Sequence, residues 1–127
     1  MLRTLALAAV VALATLSTAQ AQGIKRTVLQ KADVAGTSYE SVVGIAEVPA
    51  GIMIGLHTHP GTEQGMVLEG EITLAVDGQP EKTLKAGDSY MIPAGVPHDG
   101  KAGGSGVKVI ATYVVEKGKP MASAFKR

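Results

Sequence analysis

The chain is 127 residues long, and its 12 Lys and Arg residues nearly balance its 11 Asp and Glu residues, so that its formal net charge is +1 at pH 7. This length is typical of one domain, and the near-neutral charge provides no basic surface for a nucleic acid or an anionic membrane. The chain has no Cys, which excludes disulfides, thiol chemistry and Cys-based zinc sites.

Residues 1–21 have the pattern of a secretory signal peptide. Met1-Leu2-Arg3 is a short basic start, Leu5–Leu16 is apolar, and Ala19-Gln20-Ala21 matches an A-x-A cleavage site. A transmembrane anchor is the alternative, but the apolar stretch is shorter than the roughly 20 residues that span a bilayer. We therefore expect cleavage after this motif and a periplasmic or secreted protein without a stable membrane anchor.

Residues 22–127 are expected to form one domain built from short strands. The chain contains 16 Gly and 6 Pro, and this density of turn residues argues against helices. Only Pro120–Lys126 could form a short helix, and Gly103–Gly106 is predicted to be a flexible loop. The predicted strands are Ile24–Gln30, Ser38–Val48, Gly51–His59, Met66–Asp77, Glu81–Leu84, Asp88–Ile92 and Val107–Glu116. Regularly spaced short strands predict an all-β sandwich or barrel.

Alternation within three of these segments assigns side chains to faces. In Gly51–His59, one face carries His57 and His59. In Met66–Asp77, the apolar face is predicted to consist of Leu68, Ile72, Leu74 and Val76. The segment Val107–Val115 is apolar on both faces, so it needs a second cover. A homodimer interface would supply that cover, as would a tail folded over the sheet.

The three histidines and one glutamate have the spacing of a metal site. His57 and His59 are an i, i+2 pair, whose Cα atoms lie roughly 6.6 Å apart on a strand, so both imidazoles can reach one ion at about 2.1 Å. Glu63 follows a Pro-Gly turn, and His98 follows the turn at Pro93–Pro97. This donor set suits one divalent Mn, Fe, Ni, Co, Cu or Zn ion, with positions left for water, oxygen or substrate. Because isolated His-x-His pairs also occur without a metal, the spacing alone leaves both interpretations open.

Two longer patterns resemble the motifs of the cupin superfamily. The first motif is matched at every fixed position by Gly51-x5-His57-x-His59-x3-Glu63-x6-Gly70. The second motif is matched by Gly87-x5-Pro93-x-Gly95-x2-His98. The one departure is Ala102, which stands where the second motif ends in Asn. The motifs cover residues 51–70 and 87–98, and the flanking strands extend the resemblance over most of 24–116.

The resemblance implies a double-stranded β-helix, that is, a small jelly-roll barrel with a metal ion at its mouth. It implies that His57, His59, Glu63 and His98 are the metal ligands. It also implies structural roles for the motif's turn residues, which are Gly51, Gly70, Gly87, Gly95 and Pro93. Cupins differ far more in function than in metal site, so the resemblance does not select an activity.

Two functions are compatible with such a site. The first is a metal-dependent oxygenase, decarboxylase or isomerase that acts on a small enol, diol or carboxylate, with Glu63 as a catalytic general base. The second is a non-catalytic protein of the cell envelope that binds or senses a small carboxylate or sugar. A purely structural jelly roll is a weaker third, since it has no need of three histidines at ligand positions.

Few other side chains are candidates for a ligand pocket. They are Gln64, Met66, Tyr90, Met91 and Tyr113, and Tyr113 is the best because it shares a face with Val109 and Ala111. The motif region contains no Arg that could bind a carboxylate. The expected partners are therefore a small molecule and a second copy of the chain, and no nucleic acid.

Overall fold

The computed structural model describes residues 23–127, so the predicted signal peptide at 1–21 lies outside the described residues. The secondary structure of this part of the chain consists of eight β-strands. This part contains no helix that is long and apolar enough to cross a membrane. The strands are β1 (Lys25–Asp33), β2 (Tyr39–Val48), β3 (His57–Thr58), β4 (Gly61–Val76), β5 (Lys82–Lys85), β6 (Ser89–Ile92), β7 (His98–Glu116) and β8 (Ser123–Ala124).

Two long antiparallel strands, β4 and β7, organise the fold. The strand order is β1-β2-β7-β3-β8, and β4 pairs with β5, β6 and β7. Every pairing is antiparallel, and the β4–β7 register runs from Gly61 opposite Val115 to Val76 opposite His98. The predicted all-β double-stranded β-helix is thereby confirmed.

The core lies on the inner face of these strands. The most deeply buried large side chains are Ile92, Val67 and Val115. On β7 the inner face is buried as the alternation predicts, whereas Ile110 and Val114 on the outer face are only half-buried. The C-terminal tail does not cover that outer face, because it runs to β3 instead. The C-terminal tail is thus not the second cover that the sequence predicted for this strand.

A bulge in β4 explains why one predicted core residue is exposed. The register of β4 against β7 shifts between Val67 and Glu69, and an extra residue at a bulge reverses the alternation of faces. Val67 is therefore 0% exposed and Leu68 is 40% exposed, so the prediction that Leu68 faces the core was wrong. Beyond the bulge the alternation recovers, and Ile72, Leu74 and Val76 are buried as predicted.

The glycine-rich segment Gly103–Gly106 is part of β7 and not a loop. It bulges opposite β4, where Gly70 pairs with Val107 and Ile72 with Ala102. Gly70 has a φ of +75°, and a Cβ there would lie 2.0 Å from the carbonyl oxygen of Gly106. Only glycine allows this close approach of the two backbones.

Two other elements of the structure differ from those predicted from the sequence. The stretch Gly51–His59 contains only an isolated bridge at Met53 and the two-residue β3, because its backbone is largely irregular. The segment Pro120–Lys126 forms no helix. Its backbone pairs with β3 through β8, and the amide of Phe125 donates to the carbonyl of Leu56 at 3.0 Å. These hydrogen bonds to a distant segment of the same chain stabilise an extended backbone here in place of a helix.

Candidate metal centre

The fold brings His57, His59, Glu63 and His98 together at one end of the barrel. His57 on β3 pairs directly with His98, the first residue of β7. His59 follows β3, and Glu63 lies on β4 opposite Tyr113 of β7. One ligand atom from each of the four residues lies within 4.8 Å of the others, and His59, Glu63 and His98 are buried.

Backbone carbonyls fix the orientation of all three imidazoles. In each ring, Nδ1 lies at hydrogen-bond distance from a carbonyl oxygen: that of Gly55 for His57 (2.6 Å), that of Met121 for His59 (2.6 Å) and that of Val96 for His98 (2.9 Å). Because a carbonyl can only accept, Nδ1 carries the hydrogen and donates it. The Nε2 lone pair of a neutral ring is then available to a metal ion, which is the usual arrangement of metal-binding histidines.

Two of these Nε2 atoms approach one oxygen of Glu63. Its Oε2 lies 3.0 Å from Nε2 of His59 and 3.2 Å from Nε2 of His98. Lone pairs that face a carboxylate oxygen repel it unless a cation, either a proton or a metal ion, lies between them. Nε2 of His98 is buried without a hydrogen-bond partner.

This donor set fits a divalent transition metal. Ligand atoms that share one ion at about 2.1 Å lie at most about 4.2 Å apart, so the group needs only a small contraction to close around it. Three imidazole nitrogens and one carboxylate are the ligands that such ions prefer. A metal ion would also supply the buried Nε2 of His98 with a partner.

Two tyrosines hold the other oxygen of Glu63. The hydroxyl of Tyr90 donates to Oε1 at 2.7 Å, and that of Tyr113 donates at 3.3 Å. The Tyr90 ring lies across β4 at Gly65, where a Cβ would come within 2.3 Å of it. Glycine at this position is therefore what lets Tyr90 reach the carboxylate, and the two hydroxyls turn Oε2 toward the histidines.

The electrostatics of the group favour an ionised glutamate. Burial raises the pKa of Glu63, but interactions with His59, His98 and the Tyr90 hydroxyl outweigh it and bring the pKa well below its usual range. Burial and the nearby carboxylate raise the pKa of both tyrosines, so they stay protonated donors. Burial lowers the pKa of His57, whereas for His98 the effect of Glu63 outweighs burial and raises the pKa.

The group opens into a largely apolar cavity of about 820 Å³. Two of the five predicted pocket residues, Tyr90 and Tyr113, line this cavity. The other three, Gln64, Met66 and Met91, line a different depression. None of these three residues lines the cavity at the histidines.

Two features of the cavity were missed by the sequence interpretation. Arg26 on β1 lines it, although the motif region contains no Arg. The C-terminal tail also lines it with Met121, Ala122 and Ala124. The sequence could have identified Arg26 as a cavity residue only if the inward face of β1 had been known. The contact of Met121 is made by a backbone carbonyl, which has no signature in the sequence.

Comparison with known families matches residues 44–116 to the Cupin_2 family, described as a cupin domain. A short match of 40 residues, 55% identical, joins the chain to the HTH-type transcriptional regulator PuuR of Escherichia coli. It covers 32% of this chain and only 21% of that regulator.

Solved structures share the fold at low sequence identity. DMSP lyase DddQ from Ruegeria pomeroyi is 20% identical with a TM-score of 0.68, and the match covers 80% of this chain and 51% of that one. A cupin superfamily protein from Desulfitobacterium hafniense is 21% identical with a TM-score of 0.63, over 91% and 99% of the two chains. Recombinant oxalate oxidase in complex with glycolate is 24% identical with a TM-score of 0.64, over 85% and 57%.

Proposed function

Because the chain belongs to the Cupin_2 family of cupin domains, we propose that it binds one divalent transition-metal ion and acts there on a small enol, diol or carboxylate compound. The ion would be Mn, Fe, Ni, Co, Cu or Zn, held by His57, His59, Glu63 and His98. The observation that carries this proposal is the set of three backbone-anchored imidazoles, two of which direct Nε2 at Oε2 of the glutamate.

Each part of the site has a role in this proposal. A bound metal ion would supply Lewis acidity to a ligand oxygen. The apolar cavity wall would limit competing water, which strengthens the electrostatic interactions within it. Oε1 of Glu63 accepts from Tyr90 and Tyr113, so Oε2 is the atom that would accept a proton if Glu63 leaves the metal and acts as general base.

A second candidate is a non-catalytic cupin that binds or senses a small carboxylate or sugar. The short match to a transcriptional regulator favours this candidate, because it joins part of this chain to a protein that controls expression and not to an enzyme. The largely apolar lining of the cavity also suits binding, since Glu63 is the one carboxylate among the described residues that line it.

The metal site is tested by His57→Ala with Thr58→Ala as its matched control. Thr58 follows His57 on β3 but does not line the cavity. We expect about one metal ion per chain in the wild-type protein and in the control by elemental analysis, and substantial loss in His57→Ala. Full metal content in His57→Ala would refute the ligand assignment.

The choice between enzyme and binding protein requires the metal-loaded protein and a panel of small enols, diols and carboxylates, with and without oxygen. Product formation or oxygen uptake supports the enzyme, and Glu63→Gln should then abolish turnover in protein that still contains metal. A rise in melting temperature without turnover supports the binding protein, because a ligand that binds only the native state stabilises it.

We also propose that the protein resides in the periplasm or is secreted. The support is the basic start, the apolar stretch and the Ala19-Gln20-Ala21 motif in residues 1–21. N-terminal sequencing of the protein purified from its natural host is expected to begin at Gln22. A chain that begins at Met1 and fractionates with cytoplasmic proteins would refute the proposal.

A further inference from the structure

Apart from the histidines, Arg26 is the one positively charged side chain among the described residues that line the metal-site cavity. Its position on β1 is opposite Ala46 of β2, which in turn is opposite the buried Val109 of β7. Directly opposed residues of antiparallel strands project to the same side of the sheet. Arg26 therefore projects to the inner side, where the histidines lie.

The neighbouring Lys25 projects to the other side and has a partner there. It is opposite Glu47 and forms an ion pair with it at 3.7 Å. Arg26 forms no ion pair with any described residue, and its side chain is exposed at the cavity. An unpaired guanidinium next to an apolar cavity is well suited to a carboxylate, which it can bind through two parallel hydrogen bonds.

Small residues leave open space between Arg26 and the metal ligands. Gly44, Ala46 and Ala111 line the cavity on this side. The cavity lining also includes Tyr113, the tyrosine that donates to Glu63, so one cavity joins Arg26 to the metal ligands.

We propose that Arg26 binds the acidic end of an elongated ligand whose other end occupies the group formed by His57, His59, Glu63 and His98. This inference rests on the proposed function and narrows its substrate class to small compounds with an apolar body, a metal-binding oxygen at one end and a carboxylate at the other. The apolar wall between the two ends contacts the body of the ligand.

The test compares adipate with its monoamide, adipamate, by titration calorimetry on the metal-loaded protein. Both compounds have one carboxylate for the metal, and only adipate has a second carboxylate for Arg26. We expect adipate to bind about tenfold more tightly, as a charge-assisted hydrogen-bonded pair implies. Arg26→Gln should remove that preference, Arg26→Lys should retain part of it, and the matched control Lys25→Gln should retain all of it.

A second experiment tests carboxylate binding by Arg26 without the metal. In metal-free protein, hexanoate should bind more tightly than hexanamide, and Arg26→Gln should again abolish the difference. Equal affinities of the wild-type protein for adipate and adipamate, or an unchanged preference in Arg26→Gln with full metal content, would overturn the role of Arg26. A wild-type protein that binds no metal but still discriminates hexanoate from hexanamide through Arg26 would refute the proposed metal function alone.

Discussion

Glu63 is held differently at its two oxygens, and this asymmetry organises the candidate site. Oε1 accepts hydrogen bonds from Tyr90 and Tyr113, whereas Oε2 faces His59 and His98. A carboxylate that is held at one oxygen presents the other oxygen in a fixed direction. Its side chain then loses less conformational entropy when a metal ion binds. The tyrosines are therefore positioning residues and not ligands.

Tyr90→Phe tests this role at the level of one hydroxyl group. The variant removes the 2.7 Å hydrogen bond to Glu63 but keeps the ring in its place against Gly65. Loss of a group that orients a metal ligand costs about 10–100-fold in metal affinity. We expect a loss at the lower end of this range, because Tyr113 still donates to the same oxygen. Competition with a chromophoric chelator measures the metal affinity.

The matched control for this prediction is Tyr39→Phe. Tyr39 begins β2, is 39% exposed and does not line the cavity. The metal affinity and melting temperature of the Tyr39→Phe variant should equal those of the wild-type protein. If Tyr90→Phe also retains wild-type metal affinity while its circular dichroism spectrum is native, the hydroxyl does not position Glu63.

At the scale of elements, the C-terminal tail is part of the metal centre. The tail crosses the cavity, pairs with β3 through β8, and provides the carbonyl of Met121 that accepts from Nδ1 of His59 at 2.6 Å. Beyond β8, the ion pair of Arg127 with Asp77 joins the end of the chain to the end of β4. Because β3 carries His57, the tail supports two of the three imidazoles.

A truncation that ends the chain at Pro120 tests this contribution. It removes the carbonyl that orients His59 and the strand that pairs with His57. We expect metal affinity to fall by at least about tenfold, because His59 then samples other orientations. The same chelator competition measures the loss, and a melting curve of the metal-free protein shows whether the barrel itself remains folded.

A second truncation that ends at Phe125 serves as the control. It removes only Lys126 and Arg127, so it breaks the ion pair with Asp77 but keeps β8 and the Met121 carbonyl. Metal affinity should stay close to wild type, since exposed ion pairs contribute little. Equal affinity of the two truncated proteins would show that the tail does not orient His59.

The parts of the structure that the sequence predicted are those encoded by local spacing. The i, i+2 spacing places His57 and His59 side by side, and the resemblance to the cupin motifs implied that Glu63 and His98 join them. The exposure of Leu68 was not, because a bulge shifts alternation and only the partner strand sets its position. The face of Arg26 and the contact of Met121 likewise depend on residues distant in the chain.

At the scale of the whole molecule, the outer face of the β4–β7 sheet carries exposed apolar side chains. Met66 on β4 is opposite Ile110 on β7, and Gln64 is opposite both Met91 and Thr112. Met66 is 44% exposed and Met91 is 60% exposed. The sequence predicted a second cover for this side of β7, and because the C-terminal tail lies elsewhere, the homodimer stays the prediction.

Met66→Glu tests whether this face forms the dimer. A carboxylate placed in an apolar interface loses hydration without gaining a partner, so we expect the dimer to weaken by at least about 100-fold. Ala35→Glu is the matched control, because it adds the same charge at an exposed position in the turn between β1 and β2, outside β4 and β7. Light scattering after gel filtration should give two chains for the wild-type protein and the control, and one for Met66→Glu. A monomeric wild-type protein would refute the homodimer, and a dimer that survives Met66→Glu would place its interface on another surface.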